Sequence, residues 1–295
     1  MYVPTTKPFT SAIYQQTIMT LLEAFPFIGV RIICKSRLDC PIYSLTIGRG
    51  GSSAKKVLIN AAHHANEWIT SVLALKFLEE YAEKTLGKNP DVTLFFVPMV
   101  NPDGVDLVTG GIDELSPSYY IARRLSEEPF DNWKANIVGV DLNSNYPAGW
   151  ELAKQHKFES GYTKPGPRDF VGPHPLSEPE TRAMAAYTMQ HDFAFTISLH
   201  TQGEEIYWQY ENHNPPGATE LAERLAKASG YKLEDVPSES SHAGYRDWFI
   251  EKFNRPGLTI ECGLGENPLP IADFEDMYKK VAPMLWEATK LYFPS

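Results

Sequence analysis

The sequence predicts an α/β protein: a mixed, mostly parallel sheet with helices on both faces, in one domain covering residues 1–295. Three observations carry this reading. Apolar, β-branched runs recur between turn residues, as buried strands do. Stretches with helical spacing separate them, and strands alternating with helices form parallel sheets covered on both sides. No Gly/Ser linker, charge block or change of composition divides the chain.

In chain order, IYSLTIG at 42–48 and VLINAA at 57–62 are predicted strands, and WITSVLALKFLEEYAEKTLG at 68–87 is a predicted helix. TLFFVPMV at 93–100 is the next strand, and a helix over 177–191 precedes the strand FAFTISLH at 193–200. A helix over 218–230, the strand GLTIEC at 257–262 and a helix over 273–293 complete the series. In open sheets of this kind, ligands sit beyond the carboxyl ends of the strands.

With 43% hydrophobic and 22% charged residues among 295, the chain has ample apolar side chain for a large core and no mark of disorder. A net charge of -10 argues against nucleic acid or an anionic membrane as partner, since both demand a basic face. The start MYVPTTKPFTSAIYQQ lacks the pattern of a signal peptide, and no apolar run approaches the ~20 residues that span a bilayer. Cys34, Cys40 and Cys262 are too few and odd in number for a disulfide framework, which fits a reducing compartment. The expected location is the cytoplasm.

Four residues in this framework read as a metal site with its own catalytic base: His64 and Glu67, then His200, then Glu261. Two imidazoles and one carboxylate can hold a zinc ion and leave one position open for water. A fourth carboxyl group, off the metal, can then take a proton from that water. An HxxE motif alone is weak, and the chain has a second at His156 to Glu159, in the polar stretch AKQHKFESGYTKPGP with no strand before and no helix after. The first closes the strand 57–62 and opens the helix 68–87, His200 ends the strand 193–200, and Glu261 lies near the end of 257–262. Three independent strand ends select this set over the second motif.

HHANEWIT at 63–70, NPDG at 101–104, GVDLN at 139–143, SLH at 198–200, DW at 247–248 and TIEC at 259–262 stand in an order that resembles the zinc carboxypeptidases related to carboxypeptidase A, over nearly the whole chain. By matching position, the resemblance implies one zinc ion on His64, Glu67 and His200, with Glu261 as general base. Lys134 falls where the family has an arginine that stabilises the oxyanion. A lysine can do so as a point charge, and an ordinary surface lysine is the alternative. His63 reads as a packing residue beside a ligand, and Cys262 as a buried thiol facing the other side of the sheet from Glu261.

The departures from the family concern substrate. Asn143 of its carboxylate-gripping Asn-Arg pair is present, but Ser144 replaces the arginine, and Asn66 stands where another substrate-contacting arginine is common. In the loop 236–248 the family's mobile tyrosine has no clear counterpart, and Tyr245 is the nearest candidate. Arg246 occupies the position that sets preference at the base of the pocket for the residue after the cut. It either pairs with a substrate carboxylate or is neutralised by Asp247. This pattern resembles the bacterial branch that cleaves γ-D-glutamyl-meso-diaminopimelate bonds in cell-wall peptides, which implies a small peptide or muropeptide substrate. A carboxypeptidase releasing acidic C-terminal residues and a zinc-dependent deacylase of N-acyl amino acids are the competing enzymes. A non-catalytic binding module is disfavoured, because the base and all three ligands are present.

Overall fold

Apolar runs of five to eight residues that alternate between two hydrophobic environments build the centre of the molecule. The computed structural model describes residues 2–48, 55–86, 88, 92–127, 129–236 and 241–290. Its strands are β1 (Gly29–Lys35), β2 (Pro41–Ile47), β3 (Lys55–Ala61), β4 (Val92–Val97), β5 (Phe193–His200), β6 (Glu205–Tyr207), β7 (Lys232–Leu233) and β8 (Gly257–Glu261). They form one sheet in the order β1-β2-β4-β3-β5-β8-β6-β7. The run β4-β3-β5-β8 is parallel, whereas β1-β2, β2-β4 and β6-β8 pair antiparallel. The expected mixed, mostly parallel sheet is therefore present, with its parallel strands at the centre.

Successive side chains of a strand point to opposite faces, and two separate cores follow from this. Val57, Ile59 and Ala61 of β3 join Leu94 and Phe96 of β4 in one cluster, while Leu58, Phe95 and Val97 join the other. Helices α1 (Ser11–Ala24), α2 (Ile69–Thr85), α7 (Ala218–Ser229) and α9 (Phe274–Ala288) supply the first face. Helices α6 (Pro179–Met189) and α8 (Tyr245–Phe253) cover the second. Helices α3 (Pro102–Thr109), α4 (Pro117–Leu125) and α5 (Trp150–Glu159) belong to the connections. The sequence-predicted helix ends at 87 and 291–293 lie outside the described residues.

The second HxxE motif lies in the last turn of α5, so the polar stretch around it is itself helical through Glu159. Trp150 and Ala153, one turn apart, bury the inner face of that helix. Glycine and proline enter only after Glu159, which is why the composition of the whole stretch hides the helix. No helix among the described residues is long and apolar enough to cross a membrane.

Candidate metal centre

Glu67 closes the short 3₁₀ turn Ala65–Glu67 between β3 and α2. One hydroxyl fixes this turn: Thr70 Oγ1 donates to the Glu67 carbonyl at 2.7 Å and accepts from Ala62 N at 3.0 Å. On the neighbouring strands, His200 and Glu261 are register partners at the ends of β5 and β8. Cys262 turns to the opposite core, fully buried, and burial pushes its thiol well up.

The ligand atoms of His64, Glu67 and His200 lie within 4.8 Å of one another. His64 Nδ1 is 2.9 Å from Glu67 Oε1, and His200 Nδ1 is 2.9 Å from Glu67 Oε2. Behind His64, Asp141 Oδ1 lies 3.3 Å from Nε2. If Asp141 accepts the Nε2 proton, a neutral His64 turns a bare lone pair on Nδ1 toward a carboxylate oxygen. Two acceptors at that distance repel unless a proton or a cation lies between them. Two imidazole nitrogens and a carboxylate, with an acid orienting one ring from behind, fit zinc.

The charges agree with this grouping. Burial alone would raise the Glu67 carboxyl, but His64, Lys134 and His200 hold it well below the usual range. Burial opposes charge on His64, and Glu67 and Asp141 overcome it to lift the imidazole to about 9. Glu261 is pushed up to about 8 by burial and by the Glu67 charge. Lys134 Nζ sits 3.3 Å from Glu67 Oε1, and the surrounding carboxylates keep its ammonium above the usual value despite burial.

Backbone contacts bring Lys134 here. Ala65 N and Asn66 N donate to the carbonyls of Lys134 and Trp133 at 3.0 and 3.1 Å. Asn101 Nδ2 reaches the carbonyls of His63 and Ala135 at 3.1 and 2.9 Å, while Asn101 Oδ1 caps α3 at Gly104 N. A Cβ at Gly104 would meet the Ala135 carbonyl at 2.6 Å, so only glycine fits this position of NPDG. The motif is a brace between the site's segments.

A cleft of ≈ 320 Å³ contains His64, Glu67, His200, Glu261, Lys134, Asn143, Ser144 and Arg246 in its wall. Asn66 and Tyr245 are not in it. Asn66 is buried. The Tyr245 ring is fully buried among Tyr146, Trp248 and Phe249, with its hydroxyl 2.8 Å from Thr188 Oγ1. This corrects the expectation that Tyr245 contacts substrate: in the first turn of α8 its side chain packs into the core, and only its backbone N–H faces the site, donating to Asn143 Oδ1 at 3.1 Å. Arg246 is buried and paired with Asp247 Oδ1 through Nε at 2.8 Å and through Nη2, and its side chain also lines the cleft. His63 bonds Tyr146 Oη at 2.9 Å and stacks on His200, as a packing residue would.

His242, which the sequence places in a loop near the pocket as a substrate contact or a solvated residue, lies in the cleft wall. Sequence reasoning missed Asp141, although it stands within GVDLN, and also missed Lys157, Arg168 and Asp169 in the cleft wall. For the last three, no motif gave a signal.

Comparison with known proteins gives the same direction. The pattern of the zinc carboxypeptidase family matches residues 14–277. The chain is 42% identical over 276 residues to gamma-D-glutamyl-L-diamino acid endopeptidase 1 of Lysinibacillus sphaericus, covering 89% of this chain and 67% of that protein. It is 38% identical to uncharacterized protein YqgT of Bacillus subtilis (strain 168), over 96% of this chain and 77% of that one. Among solved structures, carboxypeptidase A from Helicoverpa armigera superposes with a TM-score of 0.73 at 19% identity, over 97% of this chain and 75% of its own, a likeness of fold. A family match of that extent, together with a relative that similar, makes this chain a member of the zinc carboxypeptidase family and a zinc-dependent metallopeptidase.

Proposed function

We propose that the protein, with one zinc ion per chain on His64, Glu67 and His200, hydrolyses the γ-D-glutamyl bond to meso-diaminopimelate in small cell-wall peptides. The 42% identity to a gamma-D-glutamyl-L-diamino acid endopeptidase carries this reading. Ser144 in place of an arginine, and Arg246 in the cleft wall, support it.

When bound, zinc supplies Lewis acidity to water and carbonyl, and a double positive charge that draws the Glu261 pKa down from its raised value. Glu261 then takes a proton from the attacking water and delivers it to the departing amine. Lys134, kept charged by its carboxylate neighbours, holds the negative charge that develops on the carbonyl oxygen. Asn143 and Ser144 line the path of the substrate. Arg246, with Nε and one N–H of Nη2 committed to Asp247, offers its remaining N–H groups to the side-chain carboxylate of the diamino acid.

Cleavage of L-Ala-γ-D-Glu-meso-diaminopimelate by the zinc-loaded protein tests this directly, with ordinary peptides ending in acidic residues alongside. Release of C-terminal acidic residues without cleavage of the γ-bond would make it a carboxypeptidase. Arg246→Ala should weaken kcat/KM on the diaminopimelate peptide roughly 10-fold more than on its lysine counterpart. Equal losses on the two would leave Arg246 as a partner of Asp247 alone.

A further inference from the structure

Among the described residues, four cationic side chains line the cleft: Lys134, Lys157, Arg168 and Arg246. Lys134 is tied to Glu67 and Arg246 to Asp247. Lys157 and Arg168 share one acid, Asp169, through Nζ at 2.5 Å and Nε at 2.8 Å. Two cations thus share the one carboxylate they touch, with Asp141 as the further acid close by. Arg168 bonds Asp169 through Nε, its side chain is 45% exposed, and its two terminal nitrogens carry four further N–H donors.

The backbone decides where this guanidinium stands. The Pro167 carbonyl accepts from Lys134 N at 2.8 Å and Ala135 N at 2.9 Å. Asp169 N, at a positive φ of 65°, donates to Asp141 Oδ2 at 3.2 Å. The residues on either side of Arg168 are therefore pinned, one to the segment of Lys134 and the other to the acid behind His64. Arg246 belongs to the other end of the 141–144 turn, where Asn143 receives the N–H of Tyr245. The neighbours of the two arginines are thus tied to different residues of that turn, Asp169 to Asp141 and Tyr245 to Asn143.

An amide cut at the metal centre has an acyl residue on one side and an amine on the other. With Arg246 assigned to the amine side, Arg168 falls to the acyl side. We infer that Arg168 binds a carboxylate on the acyl-side residue, and so selects a residue linked through its side-chain carboxyl over one linked through its α-carboxyl. Only the former has a free α-carboxylate beside the cut. Lys157 and Asp169 are positioning residues, holding the guanidinium in the wall. This inference rests on the γ-glutamyl reading above.

Two γ-glutamyl peptides that differ only in a free or amidated α-carboxyl group test it on the zinc-loaded enzyme. The wild type should favour the free acid by roughly 10- to 100-fold, the worth of charge-assisted hydrogen bonds. Arg168→Gln and Arg168→Ala should abolish that preference, chiefly through KM, with the amidated peptide changed less than about 2-fold and zinc content unaltered. Arg168→Lys should keep part of it. Equal losses on both peptides, or an unchanged preference, would overturn the inference while leaving the γ-glutamyl reading in place. A wild type that cleaves neither peptide would overturn both.

Discussion

Asp141 stands 3.3 Å from His64 Nε2, which leaves Nδ1 of that ring to face the centre. Acids in this position typically change metal affinity by about 10- to 100-fold, so Asp141→Asn should weaken zinc binding by that range in a chelator competition. Unchanged affinity would show that the ring is oriented without it. Glu261 is different, because it lies beside the ligands without being one of the three that converge. Glu261→Gln should retain zinc at full stoichiometry and lose at least about 100-fold in kcat. Metal analysis beside the peptide assay checks this, and substantial residual turnover would assign the base elsewhere.

The ends of β3, β5 and β8 set the spacing of the site, and the turn at Asn101 locks the connecting segments onto them. Asn101→Ala removes a helix cap and leaves the buried carbonyls of His63 and Ala135 short of a donor. A loss of roughly 2–4 kcal/mol should follow, measured by denaturant unfolding; a change under 1 kcal/mol would mean that water or another donor replaces it. The strand ends were legible in the sequence, because buried parallel strands are continuous apolar runs and their last residues were His200 and the neighbourhood of Glu261. The antiparallel pairing of β2 was not, since a buried strand reads alike in either direction. Tyr245 was misplaced because direction within the first turn of a helix is set by packing against Tyr146 and Trp248, which sequence spacing does not give. Lys157 and Arg168 come near Asp141 only after the chain has folded, so no local pattern announces those two.

For the whole molecule, stability should carry a mark from Glu180, at the start of α6 where that helix meets the β1-β2 hairpin. Its side chain is buried, with Oε2 unpartnered, and burial, joined by Asp103 and Glu178, pushes the carboxyl up to about 7. An unfolded glutamate titrates near ~4.3. Between these values the folded state holds a proton that the unfolded state lacks, so stability is highest below the unfolded value and falls as pH rises through the folded one. The slope approaches about 1.4 kcal/mol per pH unit for one proton. Urea unfolding of wild type and Glu180→Gln from roughly pH 4 to 8 should show the wild type losing ground to the variant as pH rises; parallel curves would sink the assignment. The carboxylate of Asp141 serves both the ring of His64 and the backbone of Asp169. A laboratory selection that moves the backbone at Asp169 for a new acyl group, rather than exchanging the Arg168 side chain alone, therefore also disturbs the seat of the metal, and such variants should arrive with weakened zinc retention until a second change elsewhere restores it.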